Sequence, residues 1–216
     1  MLVFAYLPQL FQGLWLTLAL ALCALACGLL LGMIGALGEA TSRRGWRYSV
    51  ITIQTVIRGV PELVVVMFVY FAGTALLNAL NITSNGISPF IAGVIALSLL
   101  FGAYASQTLR GAFAAIPRGQ QEAAKALALN RWQTFYRILL PQAWRHALPG
   151  LGNLWLVLLK DSALVSLIGL AELMTKAKVA AITTGQPFVF YCIAAVIYLL
   201  LTLSFRIIAV VFQQTR

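Results

Sequence analysis

Four ionisable residues stand among apolar neighbours: Arg58 and Glu62, with Gly59 and Pro61 between them, and the adjacent pair Lys160 and Asp161. An ionisable group within a hydrocarbon core costs roughly 2.5–3.5 kcal/mol on insertion scales, so these residues mark candidate pathway positions. A carboxylate can accept two parallel N–H bonds from a planar guanidinium, or pair with an ammonium, so Glu62 and Asp161 have the chemistry to select a cation. The spacing of four puts Arg58 and Glu62 on one helical face, with Gly59 and Pro61 placed to loosen the helix and free backbone groups. Lys160 and Asp161, being adjacent, point in different directions and cannot simply neutralise each other. The competing reading makes all four members of internal ion pairs that hold helices together. Ser162, Gln107 and Thr108 could add polar contacts, although hydroxyls in apolar helices usually bond their own backbone.

Other chemistries lack their residues. His146 is the single histidine and has no cysteine cluster or acidic pair nearby, so neither a metal nor a catalytic role is indicated. Cys23, Cys27 and Cys192 form no Cys-x-x-Cys pair and read as small buried hydrophobes. Five acids and one isolated histidine do not supply the converging groups an intramembrane enzyme needs.

The elements that must position these residues are membrane helices. Of 216 residues, 62% are hydrophobic and 9% charged, against roughly 25% charged in a soluble domain. Apolar runs predict five spans, at about 10–38, 51–77, 88–110, 149–170 and 187–206, each near the twenty residues a crossing requires. The first span has no preceding Lys or Arg, unlike a secretory signal, and is expected to stay in the mature protein. Its Gly28, Gly32, Gly35 and Gly38 predict close helix packing within the chain rather than a dimer seam.

The net charge of +10 sorts by topology rather than indicating a nucleic-acid partner. Arg43, Arg44 and Arg47 follow the first span; Arg110, Arg118, Lys125, Arg131, Arg137 and Arg145 follow the third; Arg206 and Arg216 follow the last. The alternate connections carry only Lys176 and Lys178, beside Glu172. Positive charge accumulates on the cytoplasmic side, so an outside N-terminus and an inside C-terminus are expected.

The longest polar stretch, Pro117 to His146, reads as two short surface helices, Gln120 to Leu129 and Arg131 to Leu140. Asn130 is expected to adopt a left-handed turn that stops the first, and Pro141 to close the second. Ala123, Ala124, Ala126 and Ala128 leave a shallow surface on which another protein could seat. Leu127, Leu129, Trp132, Phe135 and Tyr136 carry more apolar area than a solvated hairpin shows. A docked partner is the simplest cover, with packing back onto the spans accounting for part.

The segment Glu122-Ala123-Ala124, with Ile138, Leu140 and Pro141 downstream, resembles the cytoplasmic coupling loop of the membrane subunits of bacterial ATP-binding cassette importers. The resemblance runs over nearly the whole chain, through Gly13-Leu14-Trp15-Leu16-Thr17-Leu18, Arg58-Gly59-Val60-Pro61-Glu62, Arg110-Gly111-Ala112 with Ile116-Pro117 and Gly119-Gln120, and Leu140-Pro141-Gln142-Ala143. It narrows to the polar amino-acid branch. There, residues 102–110 and 144–161 look most like arginine permeases, with histidine and lysine permeases next.

The resemblance implies an all-α integral membrane fold of the type I importer permease kind, one domain over residues 1–216 with a coupling loop at about 111–148. It implies a bacterial inner-membrane location, an ATP-binding partner subunit, a second membrane subunit that is a copy or a relative, and a periplasmic binding protein delivering the amino acid. Glu122, Ala123, Ala124, Ala128, Leu140 and Pro141 would face the ATPase. No Gly-x-x-x-x-Gly-Lys-Ser/Thr stretch occurs, so no cofactor is expected on this chain, and ATP with its magnesium would bind the partner. Where the family usually has Gly six residues after the Glu, this chain has Ala128; the strained turn position is therefore expected at Asn130. The function implied is import of a polar, basic amino acid, arginine favoured. The alternatives are a permease for histidine, lysine or glutamine, or a stand-alone carrier or channel, for which inverted repeats are not evident.

Overall fold

The computed structural model describes the backbone of residues 2–41, 43–82 and 85–214, with side chains at 5–41, 43–82 and 85–206. Arg216, placed on the inner side by the charge pattern, lies outside the described residues. Among the described residues every regular element is helical: α1 (Leu2–Ala40), α2 (Arg44–Gly59), α3 (Glu62–Ala79), α4 (Pro89–Ala114), α5 (Arg118–Ala126), α6 (Arg131–Thr134), α7 (Leu140–Asp161), α8 (Leu173–Thr184) and α9 (Pro187–Gln214). A π-helical turn (Phe135–Leu139) joins α6 to α7, and a 3-10 segment (Ser162–Ile168) follows α7. Five helices are long and apolar enough to cross a membrane: Ala5–Ala40, Glu62–Ala79, Pro89–Ala114, Arg131–Ile168 and Pro187–Arg206.

The core is the pairing of α1 with α4, against which α7 also packs. Glycines let the two backbones approach. A Cβ on Gly32 would sit 2.8 Å from the Ala105 Cβ, and one on Gly102 would sit 2.8 Å from the Leu31 Cβ. The glycine spacing of the first span thus serves packing within the chain, as expected. Leu20, Leu97, Phe101 and Leu159 fill the space between the helices. Because the glycines turn one face of α1 towards α4, Cys23 and Cys27 face outward. They and Cys192 are exposed, correcting the expectation that all three are buried.

Two spans differ from the apolar pattern. The second does not run from 51 to 77 as one helix: α2 ends at Gly59, and Val60 (φ −95°, ψ 137°) and Pro61 (φ −54°, ψ 136°) are extended. Proline has no N–H to continue the ladder, and its ring disfavours helical geometry at the residue before it. The apolar crossing is α3 alone, whereas α2 is amphipathic and buries only Gln54.

The helix that carries the fourth span starts well before 149, because Pro141 does not close a surface helix; it lies in the first turn of α7. The π turn explains this. Pro141 cannot donate to the Arg137 carbonyl, and the wider turn, closed by Leu140 N–H on Phe135 O, carries the chain past the ring without a break.

Candidate functional site

The break at Val60–Pro61 separates Arg58, in the last turn of α2, from Glu62, in the first turn of α3. They do not share a continuous helical face, which corrects the reading from their spacing. They form no ion pair either; the pair found among the described residues is Glu39–Arg110. Arg58 turns instead to α4: its NH1 donates to Gln107 Oε1 and its Nε to the Gln54 carbonyl at 3.2 Å. One turn back, Gln54 Nε2 donates to Ser106 Oγ at 3.1 Å, so α2 is tied to α4 through polar side chains. Gln54 Oε1 is buried without a hydrogen-bond partner among the described residues.

Glu62 starts α3, where the positive end of the helix dipole favours a carboxylate by about 0.3–1 kcal/mol. Asp161 ends α7. α3 packs against the 3-10 segment that follows Asp161, and Asp161 lies within electrostatic reach of both Glu62 and Lys160. Both are half-buried, and neither has a hydrogen bond or ion pair among the described residues. The exposed Lys160 makes no ion pair with its neighbour. Ser162, fully buried, donates to the Leu159 carbonyl at 2.7 Å, and Thr108 donates to the Tyr104 carbonyl at 3.2 Å. Both hydroxyls bond their own backbone, so among the described residues Glu62, Asp161 and Gln54 Oε1 are acceptors at this site without a hydrogen-bond partner.

The second candidate surface surrounds α5. Glu122 and Ala123 are exposed while Ala124 is buried, giving α5 an inner and an outer face. The turn after α5 is made at Ala128, not at Asn130. Ala128 has φ +53°, its N–H donates to Lys125 O at 2.9 Å, and Leu129 N–H reaches Ala124 O at 3.0 Å. This is a Schellman motif with alanine in the left-handed position that glycine ordinarily fills. Asn130 instead caps α6: its Oδ1 accepts from Gln133 N–H at 2.9 Å, and Gln133 Oε1 accepts from Asn130 N–H at 3.0 Å. Asparagine is among the best N-cap residues, and that competing use of its side chain overrides its tolerance for a left-handed turn.

Part of the apolar area here packs inward, since Phe135 stacks on Phe113 with ring centroids 5.9 Å apart. The rest stays outside: Leu127, Trp132 and Tyr136 are 72%, 71% and 56% exposed, the two aromatic rings stacked on each other. Leu140 is half-buried and Pro141 exposed at the start of α7, and Gln142 reaches back to Gln120 of α5 at 3.4 Å. The inner ends of this surface are tied to α1 by Arg110, whose guanidinium meets the buried Glu39 carboxylate at 2.7 Å.

Sequence reasoning missed Glu172. It is fully buried, accepting from Thr17 Oγ1 at 3.2 Å, Tyr198 OH at 3.1 Å and Thr175 N–H at 2.9 Å. It thereby joins α1, the N-terminus of α8 and α9. Burial holds its carboxyl above the ordinary range, against hydrogen bonds that pull it down. The local sequence carried no signal for it, since glutamate is not among the residues favoured at an N-cap and its other partners come from distant helices.

A family profile described as the binding-protein-dependent transport system inner membrane component matches residues 28–216. The arginine ABC transporter permease protein ArtQ of Escherichia coli K12 is 48% identical over 205 residues, covering 87% of this chain and 86% of that protein. ArtQ of Haemophilus influenzae Rd is 50% identical over 198 residues, covering 92% and 89%. A crystal structure of an amino acid ABC transporter with histidines superposes with a TM-score of 0.89 at 33% identity, covering 99% of this chain and 97% of that one. With the match spanning the helical core, the polar break and the α5 surface alike, the chain belongs to the binding-protein-dependent transport system inner membrane component family.

Proposed function

We propose that the chain is the membrane-spanning subunit of an ATP-driven importer that carries a basic amino acid, arginine first, from periplasm to cytoplasm across the bacterial inner membrane. The observation that carries this reading is the packing of α3, which Glu62 starts, against the 3-10 segment that follows Asp161, neither carboxylate having a hydrogen bond or ion pair among the described residues. Two carboxylates in apolar surroundings suit a guanidinium or ammonium group, and the relatives named for arginine support that substrate class. Both are half-exposed in the single chain, which suits a path completed by a second membrane subunit, a copy or a relative.

The exposed face of α5 with Leu127, Trp132 and Tyr136 is the proposed seat of an ATP-binding subunit, which would hold ATP and its magnesium. Hydrolysis belongs to that partner, and a periplasmic binding protein would deliver the amino acid on the opposite side. Basic residues concentrated around α5 and the α1–α2 connection support a cytoplasmic placement of that face.

Glu62→Gln tests the site: uptake of arginine should fall well below uptake of a neutral amino acid in proteoliposomes holding the whole transporter. Equal loss of both substrates would refute a charge-selective role.

A further inference from the structure

Arg58 ends α2, just before the break that leads to Glu62, and its guanidinium is held by a side chain of another helix. Three residues of chain separate it from Glu62, and four steps of backbone span at most about 14 Å. Two long side chains close that distance, so pairing with Glu62 is the alternative open to Arg58. The structure instead holds the guanidinium on Gln107 Oε1 and the Gln54 carbonyl. Gln107 is exposed on α4 and makes no other hydrogen bond among the described residues, and its oxygen holds the guanidinium as a neutral acceptor.

We propose that Gln107 is a specificity-setting positioning residue: by holding Arg58 against α4, it keeps the protein's own guanidinium off Glu62 and leaves the carboxylates to a cationic substrate. The inference rests on the cation-binding reading of Glu62 and Asp161. A site already occupied by an internal cation would lose its preference for a charged ligand while keeping its contacts to the rest of an amino acid.

The test is equilibrium binding of labelled arginine, and of citrulline, in which a neutral urea replaces the guanidinium, to the purified transporter assembly with binding protein omitted. Gln107→Leu should raise the Kd for arginine about tenfold, equivalent to roughly 1.4 kcal/mol, with citrulline unchanged. Adding Arg58→Gln to Gln107→Leu should restore arginine binding. Gln107→Glu, which keeps an acceptor for Arg58, should not raise the Kd for arginine, separating loss of the acceptor from altered packing. Equal weakening of both ligands by Gln107→Leu, or no rescue by Arg58→Gln, would overturn the proposal. So would weakening of both ligands by Arg58→Gln alone, which would assign Arg58 to the substrate carboxylate. Glu62→Gln distinguishes the two levels. If it abolishes the preference for arginine over citrulline while Gln107→Leu preserves it, only the role of Gln107 falls; if Glu62→Gln preserves that preference, the cation-binding reading falls as well.

Discussion

The Tyr198 hydroxyl donates to the Glu172 carboxylate at 3.1 Å across 26 residues of chain, and through that bond α9 is tied to the start of α8. The same carboxylate oxygen accepts from Thr17 at 3.2 Å, so a third helix depends on it. A buried acid used this way strengthens the local fold through hydrogen bonds while burial penalises its charge.

The balance at Glu172 predicts a pH dependence. Its folded pKa lies above the unfolded value of 4.5, so the folded state binds the proton more tightly. The resulting stabilisation is fully present below pH 4.5 and is lost as pH rises through the folded pKa. Melting midpoints measured from pH 4.5 to 8 should therefore shift in favour of Glu172→Gln over the wild type as pH increases. Tyr198→Phe should destabilise by about 1.5–3 kcal/mol where the carboxylate is charged, and by less where it is protonated.

Ala128→Gly should stabilise the turn after α5. Alanine at φ +53° carries a left-handed penalty of about 1–2 kcal/mol, offset in part by the greater unfolded freedom of glycine. The expected net gain is about 0.5–1 kcal/mol, read as slower hydrogen exchange across residues 118–130. Ala128→Val should speed exchange, because a β-branched side chain tolerates that backbone region worse.

Arg110→Ala should cost more than Glu39→Gln. Removing the guanidinium leaves the buried Glu39 carboxylate without its counter-charge, whereas neutralising Glu39 leaves a half-exposed arginine that water can solvate. Because Arg110 is half-exposed, the loss should fall between that of a surface pair and a buried one, about 1–3 kcal/mol. Thermal unfolding of the two variants in the same detergent checks the order.

Glu122→Lys should abolish ATP-driven uptake while the variant remains folded in the membrane, because Glu122 is exposed on the outer face of α5 and makes no hydrogen bond or ion pair among the described residues. A role confined to helix stability would show only a loss of about 0.3–1 kcal/mol with uptake retained. Copurification of the ATP-binding subunit with the variant separates the two.

What the sequence by itself determined is what depends on composition and local pattern. Apolar runs located five membrane-length helices, because a hydrocarbon core leaves the backbone little choice but to satisfy its own hydrogen bonds. The glycine spacing of α1 likewise announced a close crossing, since a missing Cβ has the same consequence wherever the partner helix comes from. The cost of burying charge marked Glu62 and Asp161 before their positions were known.

Tertiary structure decided which partners those groups take. Arg58 and Glu62 look paired at a spacing of four, but Pro61 ends the helix between them and α4 offers Gln107 to the arginine. Asn130 suits a left-handed turn, yet Gln133 makes it more valuable as a cap, and Ala128 is left with the strained position. Glu172 resembled a loop acid until α1 and α9 closed over it. For Arg58 and Glu172 a contact from elsewhere in the chain settled the outcome, by about the strength of one or two hydrogen bonds, while for Asn130 a competing local cap did.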